Sequence, residues 1–186
     1  DRAGRAAPSR TANIARLVRR AIRRGWPTGA LDILKNPDNK RYLTNAEEGQ
    51  LRAEIAHAYF IFGVDPKAIR EGRHAIGVGK SDAWLGYWAG GLAAWRSGQH
   101  ELAGQFFRSL VDLPKISPGQ RSAAAFWAHR VELRAGSASK SVEYLTIAAQ
   151  EVDSFYGVVA REALGQTVTL SFDLPLFDEK FLPWLA

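Results

Sequence analysis

From Thr11 to Gly165 the apolar positions recur with the three-and-four spacing of helices, and strand-like alternation is nearly absent. Asn13 to Arg24 places Ile14, Leu17, Val18, Ala21 and Ile22 on one stripe with arginines opposite, and Gly25 is a natural stop. A short segment after Pro27 (Gly29 to Lys35) runs into the turn-rich Asn36-Pro-Asp-Asn39. Thr44-Asn-Ala-Glu47 is a capping box that predicts a longer helix through Phe62, halted at Gly63. Asp65-Pro66 reads as a cap followed by proline in the first helical position. Ser81-Asp82 opens a helix from Trp84 to Arg96, which Gly98 ends, and His100 to Leu113 is its partner. Ser117-Pro-Gly-Gln120 is a second capping box, leading through Ala123 to Arg134 and Gly136. Helices over Ser139 to Gln150 and Asp153 to Leu164 complete the set.

Helices of about 12 to 18 residues joined by short turns force neighbours to run antiparallel. A repeat underlies the alternation. With the loop glycines Gly63, Gly98 and Gly136 aligned, 35 and 38 residues apart, Ala58, Phe60 and Ala68 match Ala93, Trp95 and Ala103. In the next step Trp88 and Phe106 match Phe126 and Tyr144. One helical hairpin cannot cover its own apolar face, so the units are expected to stack. The fold class expected is all-α: a right-handed superhelical solenoid of antiparallel helix pairs with TPR-like repeats over residues 1–165. An ordinary helical bundle is the alternative. Residues 1–25 are expected to supply a basic amphipathic N-terminal helix within it. Past Gly165 the pattern changes: Gln166 to Asp173 alternates and is β-branched, Leu174 to Asp178 is turn-like, and 166–186 reads as an extended linker.

Composition narrows the chemistry. The 186 residues include no cysteine, which excludes disulfides, thiolate metal sites and a cysteine nucleophile. No window approaches the ~20 apolar residues of a spanning helix, so no transmembrane segment is expected. The chain starts at Asp1 and has no methionine, so it reads as processed or cut. The formal net charge of +6 is unevenly spread. Residues 1–24 hold eight arginines against one acid, Asp1, while the rest carries 17 basic and 18 acidic groups. Basicity is therefore a feature of one helix on a neutral body. Arg16, Arg19, Arg20, Arg23 and Arg24 are candidate contacts for a polyanion or glycan, although a solvated outer face is the simpler account.

Other motifs fall short of their chemistry. Gly77-Val-Gly-Lys-Ser81 resembles the end of a phosphate-binding loop, but His74 stands where a glycine is needed and no strand leads in, so a glycine-rich helix–helix turn is expected. Glu54-Ile-Ala-His57 and Glu71-Gly-Arg-His74 have the Glu-x-x-His spacing of di-iron bundles. They lie 17 residues apart across the Gly63 break, and solvated or structural side chains are expected. His100 and His129 lack partners at ligand spacing. No metal or cofactor is expected. No nucleophile elbow is present, and the acids read as spread over solvent positions without a catalytic pair. The aromatics Trp84, Tyr87, Trp88, Trp95, Phe106, Phe107, Phe126, Trp127, Tyr144, Phe155 and Tyr156 are spaced for helix-interface packing. Lining a groove, where sugar rings stack on aromatics, is the alternative.

Ala124-Ala-Phe-Trp-Ala-His-Arg130, Ala135-Gly136, Tyr144 to Ala149, Ser154 to Ala160 and Leu164-Gly165 together resemble the last helical repeats of the soluble lytic murein transglycosylases. Phe155, Tyr156, Gly157, Ala160, Leu164 and Gly165 match that family's Phe-Tyr-Gly-x-x-Ala-x-x-x-Leu-Gly signature. The specific likeness covers about residues 120 to 165, and the looser repeat likeness reaches back to about residue 44. The resemblance implies a periplasmic helical superhelix that carries a lysozyme-like domain cleaving the MurNAc–GlcNAc bond to a 1,6-anhydro product. It also implies a catalytic glutamate in a Glu-Ser motif ahead of Gly-Leu-Met-Gln. None of the glutamates here precedes serine, and the chain has no methionine. The expectation is a non-catalytic scaffold without catalytic residues, whose partners are peptidoglycan glycan strands, or a catalytic domain beginning beyond Ala186, or both. A helical-repeat adaptor for protein segments is the alternative. Nucleic-acid binding through the arginines ranks last, because no aromatics are interleaved with them and the footprint is weak.

Overall fold

The computed structural model describes residues 9–167. Every regular element among them is helical: α1 (Arg10–Arg23), α2 (Pro27–Lys35), α3 (Pro37–Lys40), α4 (Asn45–Ile61), α5 (Asp65–Gly79), α6 (Trp84–Arg96), α7 (His100–Val111), α8 (Pro118–Arg134), α9 (Ala138–Ala149) and α10 (Phe155–Ala163). A 3-10 turn, Lys80–Ala83, leads into α6. The all-α class is thus observed. Residues 168–186, most of the expected linker, lie outside the described residues, as do residues 1–8.

Four hairpins share one turn. Gly25, Gly63, Gly98 and Gly136 all have φ between +74° and +78°, a left-handed conformation that costs a side chain dearly and glycine little. Each donates its N–H to the carbonyl three residues back, and the following residue bonds the carbonyl five back, at 2.8 to 3.1 Å. That is the Schellman C-cap. The residue after each glycine (Trp26, Val64, Gln99, Ser137) is the next helix's N-cap, with ψ of 62° to 72° and no side-chain cap. Five residues beyond each glycine sits a small buried residue: Ala30, Ala68, Ala103 or Ser141. Gly25 therefore belongs to the same series as the other three. Gly165 ends α10 with the same pair of bonds.

Each hairpin packs on the next: α2 and α1 on α4, α6 on both α4 and α5, α7 on α8, and α10 on α8 and α9. Arginine clamps cross these seams. Arg19 holds the Glu54 carboxylate bidentately at 2.7 to 3.1 Å. Arg96 of α6 takes Asp65, donates to the Phe60 carbonyl at 2.6 Å and lies 4.2 Å from the Phe60 ring centroid. Arg108 of α7 reaches Glu132 of α8 at 2.7 Å.

Several local expectations are corrected. Asp65 is not the cap of α5. Val64 occupies that position, Asp65 is the first helical residue, and its carboxylate is turned to Arg96. Ser81-Asp82 does not cap α6, whose N-cap is Ala83. Leu17 falls outside the buried stripe of α1 and is exposed, because the stripe runs Ile14, Val18, Ala21. Both capping boxes form in full, Thr44 with Glu47 and Ser117 with Gln120.

Candidate functional site: an aromatic wall across α6, α8 and α10

Trp84, Trp88 and Trp95 stand four and seven residues apart on α6, which sets them on one side of it. Gly91, three residues after Trp88 and four before Trp95, shares that side and admits the Phe107 ring of α7, while Gly90 next to it admits Phe106; a Cβ at Gly91 would come within 2.7 Å of Phe107. α6 is thereby held close to α7, and its tryptophans meet the rings of α8 and α10. Trp95 and Trp127 meet edge to face at 5.6 Å, Phe107 stacks on Trp127 at 5.7 Å, and Trp88 meets Phe107 at 6.0 Å. Trp88 also meets Tyr156 at 6.2 Å, and Tyr156 meets Phe126 at 5.3 Å. Aromatic pairs at these separations favour such tilted and edge-on geometries. Phe107 is fully buried, whereas Trp88, Trp95, Phe126, Trp127 and Tyr156 are half-buried and keep ring surface toward solvent. These rings pack against one another at the helix interfaces, as their spacing leads one to expect.

Charge and polarity border the wall. The exposed Arg130 guanidinium lies 5.0 Å from the Trp127 ring centroid and 5.3 Å from that of Trp95, within cation–π range. His100 packs edge-on to Trp95 at 4.7 Å, and its buried Nδ1 has no hydrogen-bond partner. His129 Nδ1 is 2.9 Å from Ser141 Oγ and 3.0 Å from the Ser141 carbonyl. Burial raises the Tyr87 and Tyr144 phenols above their ordinary pKa, with the charge of Arg108 pulling Tyr144 partly back.

The signature residues gather where α10 meets this wall. Ser154 caps α10 by accepting from the Gly157 N–H at 2.9 Å and donates to Ser122 Oγ at 3.1 Å. A Cβ at Gly157 would overlap the Glu151 carbonyl oxygen, so the close approach there is to the preceding loop rather than to another helix. Tyr156 enters the wall, and its hydroxyl accepts from Trp127 Nε1 at 3.4 Å. Ala160 is fully buried, Leu164 packs against the same cluster as Leu110 and Leu145, and Gly165 ends the helix. Phe155 does not pack in the interior: it is 74% exposed, touching Tyr156 edge-on at 5.2 Å.

The candidate arginines divide. Arg19 is committed to Glu54, and Arg16 donates to Asn13 at 3.0 Å. Arg20, Arg23 and Arg24 are exposed and form no ion pair among the described residues. The hydrogen bonding and charge of Glu54 hold the Arg19 guanidinium above its ordinary pKa.

The acids are not all at solvent positions. Glu48, Glu71 and Glu132 are buried. Glu71 receives Arg52 on one oxygen at 2.8 Å and Arg70 on the other at 3.0 Å, and Glu48 receives Arg52 at 3.1 Å and Lys40 at 3.3 Å. The two Glu-x-x-His pairs are pulled apart accordingly, since Glu54 goes to Arg19 and Glu71 to Arg52. No group of three metal-ligating side chains forms among the described residues. In the Gly77–Ser81 stretch, α5 continues to Gly79, whose backbone packs on Gly49, and Lys80 carries the turn at φ +50°. Sequence reasoning missed Arg130 and the Arg52 network. Trp127-x-x-Arg130 and Glu48-x-x-x-Arg52 have the spacings that signal such pairs on a helix.

Comparison with family models, with curated proteins and with solved structures finds no match for this chain.

Proposed function

We propose that this chain is the non-catalytic superhelical scaffold of a periplasmic peptidoglycan lytic transglycosylase. In this reading the four hairpins stack as a right-handed TPR-like solenoid. They hold glycan strands, or orient a catalytic domain, for cleavage of the MurNAc–GlcNAc bond. The observation that carries the reading is the junction at 154–165. Of the residues that match the family signature, Gly157 makes the close loop approach beside the Ser154 cap, Tyr156 joins the aromatic wall and Gly165 ends the helix. The wall suits the proposed ligand: sugar rings present apolar C–H faces that lie against aromatic rings, and Arg130 is placed for the carboxylates that peptidoglycan carries. Titration with soluble uncrosslinked glycan strands tests it through tryptophan emission. Saturable quenching is expected, weakened roughly tenfold by Arg130→Ala through loss of one charge-assisted contact. Emission that stays constant across the titration contradicts the proposal.

The adaptor reading draws on a different place. A groove of about 300 Å³ runs between α5 and α7, lined by Arg73, Ile76, Tyr87, Leu102, Gln105 and Phe106, and would take an extended protein segment. Binding of such segments that Leu102→Asp abolishes, with glycan strands inert, favours the adaptor.

A further inference from the structure

α1 buries Ile14, Val18 and Ala21 and turns its opposite side outward. That side carries Arg16, Arg20, Arg23 and Arg24, all exposed, and no acid stands among them. Arg20, Arg23 and Arg24 have no ion pair among the described residues, while neighbouring Arg19 is already neutralised by Glu54. Unpaired guanidiniums on one helix face set up a positive potential.

Apolar side chains share this surface. Leu17 is 45% exposed amid the arginines. At the end of α1, Trp26 is 60% exposed with its ring laid over Gly29. Phe62, at the end of α4, is 52% exposed and its ring tip closes on Gly25, with Ile61 beside it at 62%. Phe62 thus approaches the Schellman turn at Gly25, which follows Arg23 and Arg24 and precedes Trp26 in the chain. The aromatics that the sequence does not interleave among the arginines are supplied by the fold.

A surface of cations mixed with exposed aromatic and aliphatic side chains matches one environment best. At a membrane interface, arginine heads pair with lipid phosphates while tryptophan, phenylalanine and branched aliphatics enter the headgroup–acyl boundary. Single-stranded nucleic acid would match the charge, but it is held by aromatic stacking along a basic groove and not by exposed aliphatics such as Leu17 and Ile61. We propose that the exposed face of α1, with Trp26, Ile61 and Phe62, docks on anionic phospholipid headgroups. No helix among the described residues is long and apolar enough to cross a membrane. The docking is independent of glycan binding by the aromatic wall.

The test is co-sedimentation with phosphatidylglycerol-containing vesicles, pure phosphatidylcholine vesicles and, separately, duplex DNA as competitor. Binding only to the anionic vesicles, weakening with salt, is expected. At about fivefold per guanidinium, Arg20→Ala/Arg23→Ala/Arg24→Ala should weaken it roughly 100-fold. Trp26→Ser/Phe62→Ser should weaken it roughly tenfold and remove a blue shift of tryptophan emission on binding. All five substitutions are at exposed positions, and thermal melts confirm that the variants fold. Equal binding to neutral vesicles overturns the proposal, as does binding that ignores the aromatic pair. Duplex DNA that displaces the protein from vesicles at lower phosphate concentration overturns it in favour of nucleic acid.

Discussion

Between α4 and α5 the two backbones nearly touch at Gly49 and Gly79, and the space beside them is occupied by Arg52 between Glu48 and Glu71. Between α6, α8 and α10 there is no buried ion pair, and the helices are spaced by Trp88, Trp95, Phe126, Trp127 and Tyr156. Both regions contain hairpins closed by the same glycine turn. The turn fixes how a helix reverses and leaves open what fills the gap to its neighbours. The ionic region is closed on itself: its carboxylates are already taken by cations. The aromatic region is not, because its rings keep solvent-facing surface and Arg130 lies over two of them. A scaffold that binds through one region and is braced by another would divide its materials in this way.

Four experiments press on that contrast. The largest effect is expected from Glu71→Ala, which leaves Arg52 buried with one carboxylate fewer. About 3–5 kcal/mol of stability should be lost in denaturant melts, with glycan binding retained wherever the variant folds. Trp127→Ala should cost about 2–3 kcal/mol, below the range for fully buried tryptophan because the ring is half-buried. It should also remove most glycan-induced quenching, which Glu71→Ala should not. If the two variants affect binding equally, the division between bracing and binding regions is wrong. Gly136→Ala introduces a methyl into open space at φ +77° and should cost about 1–2 kcal/mol from backbone strain alone. A cost near zero would show that the turn tolerates rearrangement.

The smallest effect concerns pH. Burial holds the His57 imidazole below its ordinary pKa of 6.5, so the folded protein prefers the neutral ring. The unfolded chain then binds the proton more readily. Stability from this group is complete above about pH 6.5 and is lost as the pH falls below it. His57→Gln should flatten that part of the melting-temperature profile between neutral and mildly acidic pH. An unchanged profile would assign the acid sensitivity to other groups.

How much of this was legible in the sequence depends on the range of the interaction. The capping boxes at Thr44 and Ser117 and the stops at Gly25, Gly63, Gly98, Gly136 and Gly165 are local devices, readable because their partners lie within five residues. The four-and-seven spacing of Trp84, Trp88 and Trp95 announced a packed face. It could not announce that Trp127 and Tyr156 complete it, since those contacts span about thirty to seventy residues. Glu71 reads as a surface acid beside Arg70, and only the approach of α4 brings Arg52 over it. Asp65 carries every local mark of a cap, yet Arg96, from the next hairpin, claims its carboxylate. Phe155 is the reverse case, an aromatic in an apolar run that the fold leaves outside.

The central claim, a glycan-holding scaffold without lytic chemistry of its own, is most directly tested by sedimenting the purified chain with peptidoglycan sacculi and assaying the supernatant for soluble anhydro-muropeptides. The account predicts protein in the pellet, reduced there by Trp127→Ala, and no released product. Protein left wholly in the supernatant, or anhydro-muropeptides released by the chain alone, would contradict it.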